Sequence, residues 1–186
     1  MSGIELIERA KAFGPRTALL SGGESYTYDD LLRASAEVAG RLLEALQTLD
    51  LAESRVAFLI PGSFEYVAVQ WGVWRAGGMA VPLNVGAADP EIEYVLGNAE
   101  VAVAICDPEQ NKRMEPICRR LSVPLLSVEG LWGAEPVGDV GAAGFFLPAI
   151  DAHRSAMMLY TSGTTSKPKG VVSTHRNIRA QILALI

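Results

Sequence analysis

The sequence is poor in the residue types that mark several protein classes. Of its 186 residues only four are lysine, two are histidine and two are cysteine. With 16 basic against 21 acidic residues the net charge is −5, so the chain lacks the basic face that a nucleic-acid partner usually requires. Cys106 and Cys118 share no metal-binding or redox spacing, and a pair this sparse makes no disulfide framework. Cys106 ends the apolar run Val101–Cys106 and reads as a small buried hydrophobe. No stretch approaches the ~20 apolar residues that span a bilayer. The opening residues Met1–Lys11 have no apolar core with basic flanks, as a secretory leader would, and they are acidic as well as basic, unlike a mitochondrial one. These absences predict a cytoplasmic protein with no membrane span.

What is present is ordinary globular composition, 49% hydrophobic and 20% charged, enough for one domain with a sizeable core. Helical and strand patterns alternate along it. A hairpin is expected at residues 17–27 around Gly22-Gly23. Tyr28, Leu31, Leu32, Ser35, Val38, Ala39, Leu42, Leu43 and Leu46 keep the three- and four-residue spacing of a long helix. Residues 55–60 are a near-continuous apolar strand stopped by Pro61-Gly62, after which Ser63 caps a helix to Ala76. Residues 79–81 read as a short strand. Asp89-Pro90-Glu91 reads as a helix start with Asp89 as the capping carboxylate, and Gly97 as its close. Residues 101–106 and 123–128 read as strands around a helix at 109–120. Residues 129–149, with five glycines, form a long irregular connection. Strands apolar on both faces and alternating with helices predict an α/β fold with a mostly parallel sheet flanked by helices.

The most informative segment is Tyr160-Thr-Ser-Gly-Thr-Thr-Ser-Lys-Pro-Lys-Gly170. It follows the apolar run at 155–160 and precedes Val171-Val172, a short strand, and then a helix capped by Ser173 or Thr174. Hydroxyls and backbone N–H groups donate to phosphate oxygens, glycines allow close approach, and lysines neutralise charge. Two of the four lysines, Lys167 and Lys169, lie here. A Walker loop is excluded, because Gly163 and Gly170 are too far apart and Val171, not lysine, follows the second glycine. No Gly-x-Gly-x-x-Gly run follows any strand. A plain polar turn is the alternative, and the joint placement of hydroxyls, glycines and lysines after a buried strand disfavours it.

Residues 160–170 resemble the phosphate-binding loop of the adenylate-forming (AMP-binding) superfamily. They meet Tyr/Phe-Thr-Ser-Gly-Ser/Thr-Thr-Gly-x-Pro-Lys-Gly everywhere but at Ser166, where the family usually has glycine. Tyr26–Leu31 resembles the entry to that family's first long helix, and Trp74–Asn84 its Ala-Gly-Gly-x-x-x-Pro-Leu segment. Residues 167–178 look most like the malonyl-CoA and fatty acyl-CoA synthetase branch. The resemblance implies that residues 1–186 are the leading part of a large N-terminal domain in an acyl-CoA synthetase. Such an enzyme joins a small carboxylic acid to ATP, with Mg²⁺, and then passes the acyl group to CoA. By resemblance Thr161, Ser162, Gly163, Thr164 and Thr165 would hold the β- and γ-phosphates. Ser166 would add a hydroxyl, Lys167 and Lys169 would supply charge, and Gly170 would let the backbone close over them.

The family's later motifs, an aromatic-Gly-x-Thr-Glu stretch and a Thr-Gly-Asp, are absent, and Val137-Gly-Asp139 comes in the wrong order to replace the second. No catalytic or metal-ligating residue is therefore expected within the 186, and the helix ending at Ile186 has no stop signal, which predicts a continuation. The competing reading is a stand-alone or degenerate nucleotide- or anion-binding module without catalysis. His153 is expected at the surface and His175 in packing or capping. Trp71 and Trp74 are expected in the core, and Asp29-Asp30 and Glu91-Glu93 as helix-start acids.

Overall fold

The computed structural model describes residues 3–131, 147–161 and 167–185. Its helices are α1 (Glu5–Ala10), α2 (Tyr28–Ala45), α3 (Phe64–Arg75), α4 (Asp89–Asn98), α5 (Asn111–Leu121) and α6 (His175–Ala184). Its strands are β1 (Thr17–Ser21), β2 (Glu24–Thr27), β3 (Arg55–Leu59), β4 (Met79–Pro82), β5 (Val103–Cys106), β6 (Leu125–Ser127), β7 (Ser155–Thr161) and β8 (Lys169–Thr174). β1 and β2 form a separate antiparallel hairpin, turned by Gly22 and Gly23 at positive φ. The other six form one sheet in the order β6-β5-β3-β4-β7-β8. Every neighbouring pair is parallel except β7–β8. The expected α/β architecture, a mostly parallel sheet flanked by helices, is the one observed.

Alternation along each strand sends side chains to two cores. Val56 and Phe58 of β3 and Val103 and Ile105 of β5 join α2 and α3 on one face. Ala57, Leu59, Ala104 and Cys106 join α4 and α5 on the other. Trp71 and Trp74 are buried in the first core, as their spacing suggested. Cys106 and Cys118 are free and buried in the second. Burial first, then Cys118 and Asp107, pushes the Cys106 thiol up to about 11, which keeps it protonated and unreactive.

Helix starts follow their caps. Thr27 and Thr174 each close a capping box, with Asp30 and Asn177, and Ser63 Oγ accepts from the Tyr66 amide. Two expectations are corrected. Ala88, not Asp89, is the N-cap of α4; Asp89 lies inside the first turn and its carboxylate takes Arg113 instead. Gly97 does not close α4, which runs through it to Asn98, and the left-handed residue after the helix is Glu100 at φ 49°. Segment ends also shift: a 3₁₀ turn, Pro108–Gln110, precedes α5, and the fifth and sixth strands are shorter than their apolar runs.

The strand order places β3 and β4 at a switch point, since the chain runs from β4 back across β3 to β5. Ligands of such sheets bind beyond the carboxyl ends of the parallel strands. β7 is parallel to β4, so Thr161 marks that end and Ser155 the opposite one.

Candidate phosphate-binding site

The segment singled out in the sequence joins β7 to β8 at the carboxyl edge of the sheet. Register pairs Thr161 with Lys169 and Tyr160 with Gly170. Ser162, Gly163, Thr164, Thr165 and Ser166 lie outside the described residues. Of the residues assigned to phosphate binding, Thr161, Lys167, Lys169 and Gly170 are therefore brought together at one hairpin end. Lys167 and Lys169 are both exposed there, so neither ammonium is spent on a buried structural role.

Gly170 has an additional reason to lack a side chain. A Cβ there would stand 3.0 Å from Met158 Sδ, 3.1 Å from its Cγ and 3.2 Å from Tyr160 Cζ, tighter than ordinary contact. The glycine lets the Tyr160 ring and Met158 cross the hairpin, where both pack on the α4–α5 core. Packing against these side chains is thus added to the expected role of backbone approach.

No local sequence pattern points to the contribution of α4. Tyr94 Oη donates to the Pro168 carbonyl at 3.3 Å, and Lys167 Nζ stands 5.3 Å from the centroid of the Tyr94 ring. One turn further on, Tyr160 Oη donates to Asn98 Oδ1 at 2.7 Å. Burial, then the neighbouring Tyr94, pushes the Tyr160 phenol above its ordinary value, which keeps it a donor at neutral pH. Tyr94 and Asn98 share a helix face by their four-residue spacing. Only the fold brings that face to a segment 74 residues downstream.

The arrangement can hold an anion. Cationic side chains and a hydroxyl stand at the paired ends of β7 and β8, where Lys169 faces Thr161. Among the described residues no group of three or more His, Cys, Asp or Glu side chains could hold a metal ion, and no helix is long and apolar enough to cross a membrane.

A cavity of about 800 Å³ lies at the other end of β7, lined by α1, α6, Trp74 and residues 150–152. The seven residues of β7 separate it from the paired ends at Thr161 and Lys169, roughly 20 Å at ~3.3 Å per residue. It is separate from the hairpin end that carries Lys167 and Lys169. His175 lines it, 9% exposed, with its ring edge-on to Trp74 at 5.6 Å. Burial first, then Arg154, lowers His175 to about 4, so it is neutral at physiological pH and serves packing as expected. His153 is exposed and bonds Asp151, also as expected.

The chain is similar to known proteins in both sequence and fold. Residues 6–186 match the family model described as AMP-binding enzyme. The chain is 38% identical over 182 residues to the mitochondrial malonate–CoA ligase ACSF3 of Bos taurus, covering 96% of this chain and 30% of that protein. It is 31% identical over 147 residues to the long-chain-fatty-acid–CoA ligase FadD13 of Mycobacterium tuberculosis, covering 77% of this chain and 29% of the relative. Among solved structures, ATP-bound MatB from Rhodopseudomonas palustris superposes with a TM-score of 0.73 at 26% identity, over 100% of this chain and 37% of that one. VinN with L-aspartate gives 0.81 at 25% identity, over 100% and 48%. The chain therefore spans about a third of the curated CoA ligases it matches, and corresponds to their N-terminal part.

Proposed function

The chain belongs to the AMP-binding enzyme family, and from that membership we propose that it supplies the phosphate-binding hairpin of an ATP-dependent acyl-CoA synthetase. In the first step a substrate carboxylate oxygen bonds the α-phosphorus of ATP, and the bond to pyrophosphate breaks. In the second the CoA thiolate bonds the acyl carbon and AMP leaves. Both steps depend on holding polyphosphate charge in a fixed place.

The observation that carries the proposal is the pairing of Lys169 with Thr161 at the carboxyl end of a parallel strand, with Lys167 two residues away. In this reading Thr161, Ser162, Gly163, Thr164, Thr165 and Ser166 donate to β- and γ-phosphate oxygens. Lys167 and Lys169 neutralise them, Lys169 making the stronger contact, and Gly170 lets the hairpin close. Mg²⁺ would accompany the nucleotide and would add to the positive charge that Lys167 and Lys169 supply. The acid is a small carboxylic acid or a fatty acid; the names of the CoA-ligase relatives support that range. Residues 1–186 act as one N-terminal subdomain that binds phosphate and leaves the adenylation step to later parts of the enzyme. A cytoplasmic location completes the proposal, supported by two free, buried thiols.

The test is acid-dependent turnover. The intact protein, given ATP, Mg²⁺ and CoA, should release AMP and pyrophosphate only when malonate or a fatty acid is added. The 186-residue chain alone should show no ATP–pyrophosphate exchange. Nucleotide binding by the intact protein without acid-dependent AMP release would favour the binding-module reading instead.

A further inference from the structure

Helix α4 touches both stems of the hairpin that bears the lysines. On the β7 side Asn98 accepts from Tyr160 Oη at 2.7 Å. On the β8 side Tyr94 donates to the Pro168 carbonyl at 3.3 Å and carries Lys167 Nζ over its ring at 5.3 Å. We propose that Tyr94 is a positioning residue for phosphate binding: its hydroxyl fixes the backbone at Pro168 while its ring face seats the Lys167 ammonium. The inference rests on the phosphate-binding reading of the hairpin.

Three physical considerations support it. An exposed lysine gives up side-chain entropy when it is ordered on a ligand. A ring that already holds the ammonium removes part of that loss before the ligand arrives. Secondly, the ring face attracts the cation without neutralising it, as a carboxylate would, so the full charge remains for an anion. Thirdly, Tyr94 is only half-exposed and is packed against the α4–α5 core, so the seat is rigid. Tyr160 and Asn98 tie the other stem to the same helix, and a shift of α4 would move both stems together.

The ring and the hydroxyl act separately, so they can be tested separately. Magnesium pyrophosphate is titrated calorimetrically into the intact protein and into Tyr94→Phe, Tyr94→Leu, Lys167→Met and the double variant Tyr94→Leu/Lys167→Met. Tyr94→Phe keeps the seat and should bind within about threefold of wild type, the scale of one hydrogen bond. Tyr94→Leu, which also loses the cation–π contact, should bind about five- to tenfold more weakly. Once Lys167 is methionine, Tyr94→Leu should cost no more than Tyr94→Phe does alone. That non-additivity is the signature of positioning, because a purely structural defect would persist in the double variant. Additive losses, or a Tyr94→Leu affinity equal to or tighter than wild type, would overturn the inference while leaving the phosphate reading intact. Wild type that binds no magnesium pyrophosphate would overturn both. If Tyr94→Leu does not fold, the proton shifts of Lys167 in wild type and in Tyr94→Phe decide the matter. The Hε protons of Lys167 should lie upfield in wild type and in Tyr94→Phe through the ring current, and a random-coil position in both would refute the seat.

Discussion

Arg154 grips both carboxylate oxygens of Asp50 at 2.7 Å, and its Nη2 also donates to the Gly77 carbonyl at 2.6 Å. The pair ties the start of β7 to the segment after α2 and to the turn after α3. It therefore fixes the strand whose far end carries the candidate site. Gly77 sits at φ +81°, and a Cβ there would meet Asp50 Oδ1 at 2.1 Å, so the turn is shaped around the carboxylate.

Arg154→Met should therefore cost about 1–3 kcal/mol, below the 3–5 of a fully buried pair because Asp50 is partly exposed. The hydrogen bond from Arg154 is the main cause that holds the Asp50 carboxyl below its ordinary range. A lowered carboxyl contributes stability that is present above its unfolded value, about 4, and is lost as pH falls through the folded one. Urea midpoints at pH 7 and at pH 3 check this. The gap between wild type and Arg154→Met should be wide at the first pH and narrow at the second.

His175 adds a second, separable acid sensitivity. Its folded value of about 4 lies below the ordinary 6.5, chiefly through burial. The neutral ring is favoured in the fold, so stability is complete above pH 6.5 and declines as the unfolded state gains a proton down to pH 4. The loss should be on the order of 3 kcal/mol across that window. In His175→Gln the decline over the same pH range should largely vanish, as thermal melts at half-unit steps would reveal.

The close approach of α2 and α3 should make Gly72 intolerant of a methyl group. A Cβ there would meet Val38 Cγ1 at 2.4 Å and Val38 Cβ at 2.5 Å. Gly72→Ala would gain ~1 kcal/mol of helix propensity, but overpacking against Val38 outweighs it. The net cost should be about 1–2 kcal/mol. Adding Val38→Ala should recover part of the denaturation midpoint, and a stabilised Gly72→Ala single variant would contradict the packing described.

Much of this architecture was legible in local chemistry. Thr27, Ser63 and Thr174 cap because their hydroxyls reach the amides of an opening turn, a short-range matter. Asp89 misled for an equally local reason. An acid directly before a proline has the form of a capped start, but the Asp89 carboxylate accepts from Arg113 on α5 and the helix begins one residue earlier, at Asp89 itself. Gly97 misled because a glycine within a helix costs only ~1 kcal/mol, which core packing by Leu96 and Ala99 readily offsets. The antiparallel direction of β8 follows from the shortness of residues 162–168, since a parallel return needs a crossover of a dozen residues or more. Lys167 and Lys169 stood out by their scarcity elsewhere. Tyr94 and Asn98 did not, because a tyrosine on an amphipathic helix reads as packing until the sheet order brings α4 beside the hairpin.

The most direct measurement is the affinity of magnesium pyrophosphate for the intact protein and for Lys169→Ala. Loss of one charge-assisted contact of about 1.5–3 kcal/mol should weaken binding roughly ten- to a hundredfold, with the melting temperature little changed because Lys169 is exposed. Equal affinities would contradict the assignment of this hairpin to phosphate.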